Sequence, residues 1–95
     1  MTNYYKEEYK DDEEYYKVAH FEWIIFKIIS ERKRQDAKWG EQNHDAFKWL
    51  AILGEEVGEV NKAVLEKDEE NIREELIQIA ATAIAMYESL ERNKK

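Results

Sequence analysis

A chain of 95 residues, 43% hydrophobic and 39% charged, suits one domain and covers only a modest share of its surface by itself, so self-association is a natural expectation. There is no cysteine, which excludes disulfides and thiolate metal sites and suits a reducing interior. The net charge of −7 argues against gripping nucleic acid through a basic surface; the apolar runs are too short for a bilayer and the acidic N-terminus lacks the order of a signal peptide, so a soluble cytoplasmic protein is expected.

The first 16 residues, MTNYYKEEYKDDEEYY, hold six acids against two lysines and five of the six tyrosines. Such charge favours disorder, but the aromatics give the segment something to pack. Residues 1–15 therefore read as an acidic, tyrosine-rich arm or helical extension, and residues 16–95 as a helical domain. With no proline and three glycines, little interrupts helix formation. A first helix is expected over about 16–36, with Val18, Phe21, Ile24, Ile25, Ile28 and Ile29 as its apolar stripe. Glu31, Arg32, Lys33 and Arg34 are expected to end it in water. The segment WGEQNHDA breaks the pattern, and Asp45 is placed to cap the next helix.

That second helix, about 46–66, is expected to bury Phe47, Leu50, Leu53, Val57, Val60 and Val64. Gly54 and Gly58 lie four apart on one face, where they would admit a neighbouring helix or a substrate. After EKDEEN a third helix is expected over about 69–92, capped by Asp68, with Glu69 and Glu70 complementing its dipole. Its stretch Ile77 to Met86 is apolar nearly all round. A helix of that kind must be covered on every side, which predicts a dimer with a multi-helix core. The fold class is thus all-α: an antiparallel bundle of about three helices, completed by oligomerisation.

Acidic residues are grouped within the second and third helices: Glu55, Glu56 and Glu59 in LGEEVGEV, then Glu74 and Glu75 in IREELIQIAA. Glu56 and Glu59, three apart, share a face, and Glu75 is followed at the same spacing by Gln78. Like charges so placed beside Val57, Val60, Leu76 and Ile79 repel unless a cation offsets them. Carboxylate oxygen is the donor that hard divalent ions prefer. A single Glu-x-x-Glu is ordinarily a solvated face; two such turns on adjacent antiparallel helices make a ligand set the stronger reading.

The run WLAILGEEVGEVNKAVLE followed by IREELIQIAATAIAMYESLE resembles the MazG-like branch of the all-α nucleoside triphosphate pyrophosphohydrolases, especially its small phage-type members. Their signature is Glu-x-x-Glu, a spacer of a dozen or more residues, then Glu-x-x-Asp. The upstream RKRQDAKWGEQNHD is also similar, so the resemblance spans about residues 30–92. It implies Mg²⁺, with Mn²⁺ as a substitute, held by Glu56, Glu59 and Glu75. It further implies cleavage of a nucleoside triphosphate or related nucleotide to the monophosphate and pyrophosphate, by a dimer or tetramer. One position departs: Gln78 stands where the family has Asp. An amide oxygen can ligate but carries no charge, so either Glu74 or Glu55 compensates or the site is weakened.

Glu55 is the candidate general base or outer partner of the metal site. Arg34 and Lys38 are candidates for phosphate, Trp39 for stacking on a base, and Lys62 for a further phosphate contact. The plain alternatives are dipole complementation for the cations and core packing for Trp39 and Trp49. Glu41-x-x-His44 has the spacing of a di-iron ligand pair, but it falls in a loop and has no second copy; His20 reads as a packed or half-exposed residue of the first helix. No glycine-rich phosphate loop or catalytic Ser or Cys constellation is present. The alternative to a hydrolase is a catalytically impaired module that binds a nucleotide or a protein partner.

Overall fold

The computed structural model describes residues 12–94; the first eleven residues of the acidic arm and residue 95 lie outside the described residues. Three helices form, α1 (Asp12–Trp39), α2 (Ala46–Leu65) and α3 (Glu69–Arg92), packed as a bundle with no strand among the described residues. No helix among them is long and apolar enough to cross a membrane.

The helix ends follow from local chemistry. Asp45 caps α2 by accepting from the Lys48 backbone N–H at 2.8 Å, and Asp68 caps α3 by accepting from that of Asn71 at 3.1 Å. α1 takes in Asp12 to Tyr15 of the expected arm and runs past residue 36 to Trp39. Its charged turn sustains the helix because the charges pair along it: Arg32 with Asp36 at 3.1 Å and Arg34 with Glu31 at 2.6 Å. The helix stops where Gly40 enters the left-handed region at φ 71° and its N–H reaches the Asp36 carbonyl at 2.8 Å.

The turn from α2 to α3 is a Schellman motif. The Asp68 N–H donates to the Ala63 carbonyl at 3.0 Å and the Lys67 N–H to the Val64 carbonyl at 3.1 Å. Its left-handed position is held by Lys67, at φ 57°, rather than by a glycine. A side chain there costs about 1 kcal/mol.

α3 is the central helix: it packs against both α1 and α2, which do not pack against each other. The buried residues are correspondingly few and mostly small: Ala81, Thr82, Ala85 and Ser89 on α3, Trp49 and Ala63 on α2, and Gln35 on α1. Because α2 is covered on one side only, the expectation that Phe47, Leu50, Val57 and Val64 are buried is corrected. They are 85%, 65%, 46% and 51% exposed, while Leu53 and Val60 are half-buried. A Cβ at Gly54 or Gly58 would meet nothing within 4 Å, so no helix among the described residues uses the glycine face. The apolar half of α3 is covered largely by its own chain, with Ile84 left partly exposed.

Two arginines fasten the ends. Arg32 of α1 reaches Glu88 of α3 at 2.9 Å. Arg92 binds the loop between α1 and α2 through the Asn43 side chain and the Gln42 carbonyl, each at 3.0 Å, and through Glu41 at 3.3 Å. Relief of the left-handed strain gives a direct test: Lys67→Gly raises unfolding stability by roughly 0.5–1 kcal/mol in urea titration, with an unchanged m-value.

Candidate functional site

The packing of α2 on α3 brings acids from separate sequence turns together. Glu56 and Glu59, one turn apart on α2, meet Glu75 of α3; each offers an oxygen, and these oxygens lie within 4.8 Å of one another. Glu56 and Glu75 are half-buried and Glu59 is exposed. Among the described residues, Glu56 Oε2 and Glu75 Oε2 are buried without a hydrogen-bond partner, an unfavourable state for a carboxylate.

The electrostatic consequence falls on the two half-buried acids. Glu56 is pushed above its ordinary value, first by burial and then by the charges of Glu59, Glu31 and Glu55. Glu75 is pushed up to about 7, first by burial, then by a hydrogen bond with Glu59 and by the charges of Glu59, Glu56 and Glu74. The trio therefore retains a proton near neutral pH instead of carrying three full charges.

Beside the trio lies a cavity of about 270 Å³ lined by residues of all three helices. Glu31, Arg34 and Trp39 of α1 line it, with Glu55 and Glu56 of α2 and Gln78 of α3. Trp49 and Thr82 complete its wall. A second, more apolar groove between α1 and α3 is lined by Trp23, Ile24 and Ile77 and shares Glu31 and Gln78 with the first.

Most of the residues singled out from the sequence converge here. Trp39 is half-exposed at the cavity, with the Arg34 guanidinium 5.9 Å and the Lys38 ammonium 4.6 Å from its ring centroid. Glu55 is exposed on the cavity wall, and Gln78 is half-buried between cavity and groove. Glu74 is exposed along the groove. Lys62 is not among the residues lining the cavity; it stands exposed in the last turn of α2, three residues beyond Glu59. His44 packs its ring 4.9 Å from that of Trp49, a core residue. His20 is exposed beside the groove.

Sequence reasoning missed Glu31. Expected in water, its side chain is only 14% exposed, and the Arg34 fork donates to both of its oxygens at 2.8 and 2.6 Å. Those bonds, opposed by burial, hold its carboxyl below the ordinary range. Arg32, also expected in water, has a side chain 17% exposed. The one available signal for Glu31 is its place a turn before Arg34 on a helix whose preceding face is apolar.

No protein-family model, curated protein or solved structure matches this chain.

The raised acids fix a pH dependence. Between pH 4.5 and about 7 the folded chain holds the Glu75 proton that the unfolded chain has released, so stability falls as pH rises through that window. Thermal melts in chelator from pH 5 to 8 should show Tm declining, and Glu75→Gln should flatten the decline.

Proposed function

We propose that this chain is a Mg²⁺-dependent nucleotide pyrophosphohydrolase of the MazG-like kind, splitting a nucleoside triphosphate or related nucleotide into the monophosphate and pyrophosphate. The observation that carries the reading is the meeting of Glu56, Glu59 and Glu75 within 4.8 Å with two buried carboxylate oxygens lacking any partner. The donor set fits a hard divalent cation, which would satisfy those oxygens and offset the mutual repulsion. Glu56, Glu59 and Glu75 would hold it, with the Gln78 amide as a neutral fourth ligand. When bound, such an ion neutralises phosphate charge and orients the scissile anhydride.

The remaining roles belong to the cavity. Arg34 and Lys38 grip phosphate oxygens and Trp39 supplies a face for the base. Glu55 accepts a proton from the attacking water as its oxygen bonds to the α-phosphorus, and the bond from that phosphorus to the bridging oxygen breaks to release pyrophosphate. Lys62, three residues beyond Glu59 on α2, is the candidate for a further phosphate contact outside the cavity lining. The substrate pool is cytoplasmic, in keeping with a cysteine-free chain.

Self-association belongs to the same proposal. Phe47, Leu50, Gly54, Val57, Asn61 and Val64 recur at alternating spacings of three and four along the uncovered face of α2. That is the seam along which a second helix packs, and a second copy of this chain is its natural occupant, forming a dimer or tetramer.

The direct test is pyrophosphate release from a panel of common and modified nucleoside triphosphates with Mg²⁺ or Mn²⁺. Metal-dependent release should fall by roughly 10²-fold or more in Glu59→Gln, and Gln78→Asp should tighten Mg²⁺ binding. Absence of release from a folded, Mg²⁺-binding protein would leave a nucleotide-binding module instead. For assembly, sedimentation should give at least a dimer, and Leu50→Lys should lower its mass; a monomeric wild type would contradict the seam.

A further inference from the structure

The sharpest unexplained feature outside the acid trio is the ion pair formed by Glu31 and Arg34. Both side chains line the cavity, and Glu31 also lines the groove on the other side of Gln78. The two partners are unequally placed: the Glu31 side chain is 14% exposed and that of Arg34 is 51% exposed. The guanidinium is thus open to an arriving anion while the carboxylate faces inward. Its charge is felt at Glu56, across the cavity on α2.

We infer that the Glu31–Arg34 pair is a latch opened by the polyphosphate of the substrate: phosphate takes over the Arg34 fork, and the Glu31 carboxylate so released supplies the negative charge that Gln78 lacks. This rests on the pyrophosphohydrolase reading. The exchange is chemically even-handed, because the planar fork of arginine suits the paired oxygens of a carboxylate or a phosphate alike. Taking the guanidinium from a carboxylate only 14% exposed leaves a buried charge without its partner, a cost that a cation beside it would offset. The exchange gives α1 a purpose in the site: the acids of α2 and α3 form the trio, and α1 contributes charge only once substrate has engaged. Glu31 acts here as a positioning residue for the cation.

Mn²⁺ alone, titrated by electron paramagnetic resonance, separates the possibilities. Arg34→Gln frees Glu31 permanently and should tighten Mn²⁺ about fivefold or more. Glu31→Gln combined with Arg34→Gln should lose that gain, and Lys38→Gln, which removes a neighbouring positive charge, should not reproduce it. Helicity and Tm of each variant check that the bundle is intact. Equal Mn²⁺ tightening by Arg34→Gln with and without Glu31, or none in either background, overturns the latch while leaving the pyrophosphohydrolase reading in place. A folded wild-type protein that binds no Mn²⁺ overturns both.

Discussion

Glu56, Glu59 and Glu75 repel one another, and the bundle holds them together nonetheless. Their approach to within 4.8 Å is set by the contact of α2 with α3, a contact built around Trp49 and small buried residues such as Ala63, Ala81 and Ala85. Small side chains let helix backbones come close, and acids farther along the same two helices are brought together with them. Packing energy thereby sustains an electrostatic arrangement that would be avoided in isolation. Below neutral pH a proton on Glu75, whose carboxyl is pushed up to about 7, relieves it.

Proton and cation are alternative answers to the same problem. A proton neutralises one charge and joins Glu75 to Glu59 but leaves Glu56 Oε2 without a partner; a divalent ion would meet several oxygens at once. The position of Gln78 is informative in this light. A fourth acid beside the trio would raise the repulsion that the metal-free fold must bear, whereas an amide does not. Glu31, paired with Arg34 at 2.6 Å, nonetheless adds its charge to the strain at Glu56, after that of Glu59.

What could be read from the sequence was local. The caps at Asp45 and Asp68 act within three residues, and both were legible. The pairing of Glu56 and Glu59 followed from helical spacing, and their meeting with Glu75 from the short turn that makes α2 and α3 antiparallel neighbours. Illegible were the features that depend on which helices touch. Periodicity marks Phe47, Leu50, Val57 and Val64 as apolar but cannot say that α1 stays away from α2. The inward position of Glu31 depends likewise on α1 lying along α3, to which the apolar face before it and Arg34 one turn on are only an indirect pointer. Lys67 in a left-handed conformation was also hidden, because the motif ordinarily carries glycine there.

The central claim is that the acid trio exchanges a proton for a divalent cation. The most direct measurement is proton release on adding Mg²⁺ to the folded protein in weak buffer, followed across pH. The account predicts close to about one proton released per chain near pH 6 and progressively less above pH 8, as Glu75 ionises without help. Mg²⁺ uptake with no proton release near pH 6, or no uptake at any pH, would contradict it.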